Sequence, residues 1–322
     1  MGQITVIIIT QGRLKLLMKC LESLKQFPEE SEIILVSNGE TLASEGRVFL
    51  EQNFKNHRIL ESAEVFAAGK ARNWALSLAA PSDWVFLIDD DAYLPQNYWT
   101  TAMKYLGQKE VDVLGGPDIT PRDMSYFARS VAIALMSPFC TGLTFSRHYP
   151  LGKKIQFATE ENLTSAQLWI RRKILDDVQF PESFRRGEES YFLKELSDKN
   201  VGMFYHPQLK LFHYRRENLW QIVKINFLGG FFRSQMMRQK SGFSGSYYLP
   251  SLFVLMHFLV FYDLGIFLEL VKIYTLLIGC ISLGISQRQR EFMTFPLVFF
   301  LHYIIVASYG LGFLKGRLNK IS

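Results

Sequence analysis

Two patterns of hydrophobic residues alternate along residues 4–88, namely short continuous apolar runs and stretches in which apolar residues recur every three or four positions. Short apolar runs bounded by turn-forming residues are typical of buried strands, and leucines that recur every three or four positions are typical of helices. The apolar runs predict strands at Ile4–Ile9, Glu32–Ser37, Arg58–Leu60 and Trp84–Ile88. The helical patterns lie at Arg13–Phe27, Glu45–Asn53 and Lys70–Leu78. Strands that alternate with helices predict a mostly parallel sheet covered by helices on both faces.

Polar residues stand where three of these strands end. Thr10 follows the first strand, Asn38 follows the second, and three consecutive aspartates, residues 89–91, follow the fourth. Ligands of such sheets bind outside the carboxyl ends of the strands. Adjacent carboxylates repel one another, and a hard divalent cation, which prefers oxygen ligands, would offset that repulsion. From the residues alone, a solvated acidic turn and a cation site both remain open.

Residues 111–214 have a less regular pattern, with a turn at 115–117 and a helical stretch at Ser190–Leu196. The adjacent acids Glu188 and Glu189 come directly before that helix. Acids near a helix N-terminus stabilise the helix dipole, and a carboxylate that faces a substrate hydroxyl acts as a general base. The spacing by itself fits either role.

The last quarter of the chain is mostly apolar. Phe292–Leu314 has 23 residues without Asp, Glu, Lys or Arg, and it is the best candidate for a membrane span. Leu264–Ile285 is also long enough, although it carries Glu269 and Lys272, which are three residues apart and could pair on one helix face. Leu252–Tyr262 is too short to cross a membrane alone.

Basic residues cluster next to these apolar stretches. Leu219–Lys240 mixes phenylalanine and methionine with Lys and Arg, as in a helix that lies in the membrane interface. The clusters Arg233–Lys240, Arg288–Arg290 and Lys315–Lys320 would each prefer the cytoplasmic side of a bilayer. An even number of crossings satisfies the first and last clusters, and the middle cluster then depends on which pair of segments crosses. A hairpin from 249 to 285 followed by a re-entrant or interfacial final segment satisfies all three clusters, so the number of crossings stays open.

Composition narrows the class of protein. The net charge of +6 is modest and gathers near the apolar tail, which favours anionic lipid as a partner and argues against nucleic acid. Three scattered cysteines provide neither a disulfide framework nor a zinc motif. The first strand begins at Ile4, so we expect no secretory signal and a domain that faces the cytoplasm.

Eight short motifs occur in an order that resembles the family 2 glycosyltransferases, which are inverting enzymes with the GT-A fold. The motifs are VIIITQGR (6–13), VSNG (36–39), GKARNWAL (69–76), FLIDDDAYLP (86–95), GGP (115–117), NLTSAQLWIRR (162–172), FPESFRRGEES (180–190) and LFHYRREN (211–218). The chain departs from the family at two positions, with Asn38 in place of the usual Asp and Glu188-Glu189 in place of the usual Glu-Asp.

The resemblance implies a role for each of twelve residues. Asp91 and His213 would ligate a divalent metal ion, Mn²⁺ or Mg²⁺, and Glu189 would be the catalytic base, or Glu188 if the two exchange roles. The residues that would bind the nucleotide sugar are Thr10, Arg13, Asn38, Gly39, Lys70, Arg72, Asp89 and Asp90. An amide at position 38 still bonds the N3–H and O4 face of uracil or thymine, so UDP- or dTDP-sugars are favoured.

These observations predict a three-part membrane enzyme. The parts are an α/β GT-A catalytic domain (1–218), an amphipathic interface helix or linker (219–246) and a membrane-associated helical region (247–322). We expect it to transfer a sugar from a nucleotide-sugar donor to a lipid-linked saccharide acceptor, in polysaccharide or glycoconjugate biosynthesis, on the cytoplasmic face of a membrane. The alternatives are a nucleotidyltransferase on a similar fold and a non-catalytic membrane scaffold. The sequence does not determine the oligomeric state.

Overall fold

The computed structural model describes residues 2–319. The strands are β1 Ile4–Thr10, β2 Glu32–Asn38, β3 Asn56–Ser62, β4 Trp84–Asp89, β5 Ala92–Tyr93, β6 Val113–Gly115, β7 Asp118–Ile119, β8 Gln156–Phe157, β9 Gln167–Arg171, β10 Met203–Tyr205 and β11 Leu211–His213. The α-helices are α1 Leu14–Leu24, α2 Ser44–Asn53, α3 Ala68–Leu78, α4 Tyr98–Leu106, α5 Tyr126–Leu135, α6 Pro138–Thr141, α7 Arg172–Asp177, α8 Glu188–Asp198, α9 Leu219–Gln239, α10 Leu249–Met256, α11 Leu264–Arg288 and α12 Phe295–Leu318. Short 3-10 helices occupy Gly142–Arg147, Gly245–Tyr248, His257–Phe261 and Phe292–Thr294.

The main sheet has the strand order β3-β2-β1-β4-β9-β6-β10-β8. Its first four strands are parallel, as the alternating pattern predicts, and β1 and β2 are buried almost throughout. Helices cover both faces of this sheet, so its apolar strands have no solvated side. The predicted α/β class with a largely parallel sheet is confirmed.

An antiparallel strand that the sequence pattern did not reveal joins the two halves of the sheet. β9 pairs antiparallel with both β4 and β6. Its Trp169 is fully buried and stacks on Phe86 of β4, with ring centroids 4.4 Å apart. The motif NLTSAQLWIRR therefore contributes a core strand that abuts β4, the strand that leads into the acidic triplet.

A second, small sheet has the order β5-β11-β7. β11 pairs antiparallel with β5, so that His213 lies opposite Ala92, and it pairs parallel with β7, so that Leu211 lies opposite Asp118. The backbone N–H of Tyr214 donates to the Asp91 carbonyl over 2.9 Å. This sheet brings the late motif LFHYRREN next to the acidic triplet, which lies more than a hundred residues earlier in the sequence.

The chain divides into two compact units. One unit comprises residues 1–119 and 149–214, and the other comprises residues 120–148 and 215–322. The second unit thus takes in a segment from the middle of the chain, whereas the domains predicted from the sequence follow one another without interruption. The boundaries at 218 and 246 stay a prediction.

In the second unit, α9 and α12 pack with their backbones in close approach. A Cβ atom on Gly230 of α9 would collide with the Tyr309 carbonyl, and one on Gly312 of α12 would collide with the Phe227 carbonyl. Glycine removes the side chain that would hold two helices apart, as in many helix pairs within membranes. The predicted amphipathic helix therefore lies against the last apolar helix along much of its length.

Among the described residues, two helices are long and apolar enough to span a membrane, namely Leu264–Arg288 and Phe292–Leu318. The first is almost entirely exposed in the structure, whereas half of the second is covered by other helices of the same unit. The helix pair Tyr126–Leu135 and Pro138–Arg147, bent by 79°, would add a third span if it acts as one segment. Proline at position 138 begins a new helix there, because it cannot donate to the preceding turn.

Substitution of Gly312 by alanine is expected to destabilise the second unit by about 1–3 kcal/mol, because the added methyl group forces α12 away from the α9 backbone. Gly279→Ala, in the exposed helix α11, is the matched control. A Cβ there meets no atom within 4 Å, so stability should stay the same or rise by up to about 1 kcal/mol. Thermal unfolding of both full-length variants in detergent measures the difference. Equal midpoints for the two variants would contradict the close packing.

Candidate active site

The acidic triplet forms the turn between β4 and β5 at the carboxyl edge of the parallel strands. Asp90 is completely buried, and its Oδ2 accepts a hydrogen bond of 2.6 Å from the Thr10 hydroxyl at the end of β1. Asp91 is 4% exposed, and Asp89, the last residue of β4, is less buried. The triplet is therefore not the solvated turn that its composition left open.

Arg13 connects the first-strand loop to the triplet. Its guanidinium contacts Asp90 through Nη2 and Asp91 through Nη1, and its Nε donates to Asp90 over 3.3 Å. Burial lowers the pKa of Arg13, but the two carboxylates more than offset this effect and raise the pKa above its ordinary value. Thr10 and Arg13 thus both contact the acids of the triplet, and their predicted role in nucleotide binding stays a prediction.

Asp89, Asp91 and His213 form a cluster of three potential metal ligands. One ligand atom from each residue lies within 4.8 Å of the others. The Nε2 atom of His213 is 3.0 Å from Oδ1 of Asp91. This is the length of a direct hydrogen bond, and it is also compatible with two ligands of one cation such as Mg²⁺ or Mn²⁺, because ligands held at right angles about 2.1 Å from the ion would be about 3 Å apart.

The electrostatics of the triplet also favour a bound cation. Loss of solvent raises the pKa of Asp89, and the neighbouring Asp91 carboxylate raises it further. Burial likewise raises the pKa of Asp90, although Arg13 and Thr10 oppose that shift. A divalent cation would relieve the repulsion, because it stabilises the charged form of every carboxylate near it. The donor set of two carboxylates and one imidazole therefore fits the predicted metal ion.

A second buried carboxylate lies near the triplet and is linked to it by Arg72 of α3. The Nη1 atom of Arg72 donates to Oε1 of Glu188 over 2.5 Å, and its Nη2 atom lies 4.0 Å from Oδ1 of Asp89. Burial and the adjacent Glu189 raise the pKa of Glu188, and Arg72 counteracts them. Glu188 and Arg72 are both buried, whereas Glu189 is half-exposed at the N-terminus of α8.

The other predicted nucleotide-binding residues lie at the ends of β2 and α3. The Asn38 side chain exchanges two hydrogen bonds with the Phe66 backbone, of 3.0 and 2.8 Å, and thereby holds the loop after β3. Gly39 adopts a φ of 101°, a left-handed conformation that favours glycine. Lys70 is exposed, with its Nζ 4.1 Å from the centre of the Phe66 ring. The roles of these residues in nucleotide binding stay predictions.

One site residue escaped the sequence analysis. Asp118, directly after the GGP motif, is 3% exposed, and its Oδ2 lies 3.1 Å from Nδ1 of His213. Its only signal in the sequence is its place after a turn that follows a short apolar run. The contact depends on the pairing of β7 with β11, which no local pattern predicts.

A largely parallel α/β sheet with an acidic cluster and a polar rim at the carboxyl ends of its strands is typical of enzymes that bind a ligand at that edge. Residues 5–179 match the family described as Glycosyl transferase family 2. The chain belongs to this family.

Comparison with individual proteins agrees with this assignment. A Methanococcus voltae protein named dolichyl N-acetyl-alpha-D-glucosaminyl phosphate 3-beta-D-2,3-diacetamido-2,3-dideoxy-beta-D-glucuronosyltransferase is 23% identical, over 98% of this chain and 99% of its own length. The mannosyltransferase PcManGT from Pyrobaculum calidifontis, solved with GDP-Man and Mn²⁺, has a similar fold with a TM-score of 0.61 and 16% identity, over 99% of this chain and 88% of that one. S. aureus TarS 1–349 with UDP-GlcNAc has a TM-score of 0.50 and 16% identity, over 98% of this chain and 91% of that one.

Proposed function

We propose that the protein transfers a sugar, with inversion, from a nucleotide-sugar donor to a lipid-linked acceptor, and that the reaction depends on a divalent cation. The observation that carries the proposal is a continuous set of charged side chains at the carboxyl edge of the sheet. It runs from the cluster of Asp91 and His213 through Asp89 and Arg72 to Glu188.

The proposed reaction is a single displacement at the anomeric carbon. The acceptor hydroxyl oxygen forms a bond to that carbon, and the bond to the donor's diphosphate oxygen breaks, with its electron pair leaving on the nucleoside diphosphate. The hydroxyl proton moves to a carboxylate of the enzyme, which acts as the general base. Attack and departure on opposite faces of the sugar invert the anomeric configuration.

Glu189 is the better candidate for the base. A base needs access to the acceptor, and Glu189 is half-exposed, whereas Glu188 is buried and bonded to Arg72. Glu188 and Arg72 form a buried ion pair between α8 and α3, and loss of either partner would leave the other charge buried and unpaired. This pair is therefore suited to a structural role, in which it holds α8 against α3. The longer Glu side chain replaces the Asp that is usual at position 189 in the family.

Asp89, Asp91 and His213 would hold the divalent cation, which supplies charge neutralisation for the departing diphosphate. Arg13, in contact with two of the acids of the triplet, adds a fixed positive charge beside the same group. The Mn²⁺ ion in the PcManGT complex supports a metal ion of this kind. Mn²⁺ and Mg²⁺ both remain candidates.

The donor is proposed to be a UDP- or dTDP-sugar. An Asn amide has two acceptor lone pairs and two donor hydrogens, and the Phe66 backbone uses one of each at Asn38. One acceptor lone pair and one donor hydrogen of the amide are not used by Phe66, and a nucleobase at the carboxyl end of β2 could bond either of them. The TarS complex with UDP-GlcNAc agrees with this choice, whereas PcManGT was solved with GDP-Man.

The acceptor is proposed to be lipid-linked. The name of the M. voltae relative includes a dolichyl-linked N-acetylglucosaminyl phosphate, and that protein matches this chain almost from end to end. Apolar helices in the second unit would keep the enzyme at the bilayer surface, where a lipid-linked substrate is concentrated.

A hydrolysis screen over nucleotide sugars tests the proposed activity. The full-length protein in detergent is incubated with UDP-, dTDP- and GDP-sugars, each with Mn²⁺, with Mg²⁺ and with chelator. We expect slow release of nucleoside diphosphate from a uridine or thymidine donor, only when the metal ion is present. Turnover of nucleoside triphosphates alone would favour a nucleotidyltransferase, and donor binding without turnover would favour a scaffold.

The full-length protein is expected to stay in the membrane pellet through high salt and alkaline carbonate, because α11 exposes a long apolar surface. Residues 218–262 and 292–322 contain no Asp or Glu, so the lysines and arginines there favour the anionic cytoplasmic leaflet. Protease should cleave the first unit, residues 1–119 and 149–214, in inverted vesicles and spare it in intact cells. Recovery in the soluble fraction without detergent would overturn the membrane assignment.

A further inference from the structure

We propose that Asp118 is a positioning residue that holds the His213 imidazole in the tautomer and orientation needed to ligate the cation through Nε2. The inference rests on the proposed metal site. It concerns Nδ1 of His213, the ring nitrogen that faces away from that site. It assigns a task to a buried carboxylate that the proposed reaction does not otherwise use.

The contacts of His213 carry the argument. Its two ring nitrogens face two different carboxylates, with Nδ1 3.1 Å from Asp118 Oδ2 and Nε2 3.0 Å from Asp91 Oδ1. Both contacts are with carboxylates, which only accept hydrogen bonds when ionised, but Asp91 and not Asp118 belongs to the metal cluster. A cation bound there needs the lone pair of Nε2, so the one ring hydrogen of the neutral imidazole lies on Nδ1, where Asp118 accepts it. In the neutral imidazole, the lone pair then lies on Nε2, on the side of Asp91 and of the metal cluster.

The small sheet explains why Asp118 stands there. In the parallel pairing of β7 with β11, Asp118 lies opposite Leu211, two residues before His213. Residues two apart on a strand project from the same face, so Asp118 and His213 share one face of the sheet. On the other side of β11, His213 lies opposite Ala92, the residue after Asp91. The short strand β11 thus places His213 between Asp91, the proposed fellow metal ligand, and Asp118.

This arrangement is the carboxylate–histidine–metal geometry in which the second carboxylate fixes the ring and increases the basicity of the ligating nitrogen. Burial makes the contact more effective, because Asp118 is 3% exposed and little water is available to replace it. Loss of such a partner typically weakens metal affinity by about 10- to 100-fold. We expect an effect of that size from removal of the Asp118 carboxylate.

The test measures Mn²⁺ binding rather than turnover. Electron paramagnetic resonance of free Mn²⁺ gives the dissociation constant for the full-length protein with Mn²⁺ alone and with Mn²⁺ plus UDP or GDP. The variants are Asp118→Ala and Asp118→Asn. The alanine variant should bind Mn²⁺ about 10- to 100-fold more weakly, and the asparagine variant should fall between it and the wild type, since its amide oxygen still accepts a hydrogen bond from Nδ1.

A spectroscopic signature separates positioning from general damage to the fold. Electron spin-echo modulation from ¹⁴N should show imidazole bound to Mn²⁺ in the wild type and no such coupling in His213→Ala. The coupling should weaken or disappear in Asp118→Ala. The matched control is Asp112→Asn, an acid of the same unit that pairs with Arg171 and Lys173, and it should keep both the affinity and the ¹⁴N signal.

The outcomes are distinguishable. Absence of Mn²⁺ binding to the wild type, with either nucleotide, overturns the proposed metal site itself. Wild-type binding with an unchanged dissociation constant and ¹⁴N signal in both Asp118 variants overturns the positioning role alone. If Asp118→Ala does not fold, Asp118→Asn decides the question, because it retains the size and shape of the side chain.

Discussion

Asp91→Asn is expected to abolish sugar transfer and to weaken metal-dependent binding of the nucleoside diphosphate. Asp91 is the buried carboxylate that contacts both His213 and Arg13. Its replacement by asparagine would remove a charged ligand from the cation and a counter-charge from the Arg13 guanidinium. Loss of several kcal/mol of charge stabilisation at the leaving group corresponds to a rate decrease of about 10³-fold or more. Initial rates with Mn²⁺, and calorimetric titration with UDP in the presence and absence of Mn²⁺, measure the two effects.

Asp177→Asn is the control for this variant. Asp177 is an exposed acid at the end of α7 in the same unit, and its neutralisation should leave both rate and nucleotide affinity unchanged. Full activity of Asp91→Asn in metal-free buffer would refute the ligand assignment. Equal losses in the two variants would show that general charge, rather than the position of Asp91, matters.

Glu189→Gln is expected to slow transfer by about 10²-fold or more while donor affinity stays close to that of the wild type. The change removes the proton acceptor and keeps the shape of the side chain, so it acts on the step in which the acceptor hydroxyl loses its proton. Transfer rates at saturating donor, together with the dissociation constant for UDP, separate the two quantities.

The neighbouring substitution Glu188→Gln provides the contrast. It leaves the buried Arg72 charge without its carboxylate, and breaking a buried pair in this way costs about 3–5 kcal/mol, so a fall in the unfolding temperature should dominate. Glu189→Gln should lower that temperature less, because Glu189 is less buried than Glu188. If Glu188→Gln reduces transfer more than Glu189→Gln at normal stability and donor affinity, the two residues exchange roles.

The parallel half of the sheet followed from local patterns. Strands β1, β2 and β4 are buried apolar runs, and such runs are visible in the sequence because both faces of a parallel sheet must be apolar. The position of the acidic triplet at the end of β4 was predicted for the same reason, because a buried apolar strand must end where three carboxylates follow it. β9 was missed because its motif reads as irregular, and only pairing with β4 and β6 makes it a central strand.

In the apolar C-terminal region, too, some features were predictable from the sequence and others depended on tertiary packing. Length and the absence of charge are local properties, and they predicted the apolar segments that became α11 and α12. Which helix exposes its surface depends on tertiary packing. The uncharged segment ranked first from the sequence is half covered by its neighbours, and the segment that carries Glu269 and Lys272 is the exposed one. The glycines that bring α9 against α12 have a meaning only once the two helices are adjacent.

The sequence by itself determined the fold class, the order of the motifs and the residue types at the ends of the strands, because hydrophobic period and residue chemistry are local quantities. Only the tertiary structure decided which side chains meet. The pairing of β11 with β5 and β7 brings His213 between Asp91 and Asp118, and the packing of α3 near α8 joins Arg72 to Glu188 rather than Glu189. These contacts join residues about a hundred positions apart, and their free energy comes from burial and charge pairing that exist only after the chain has folded.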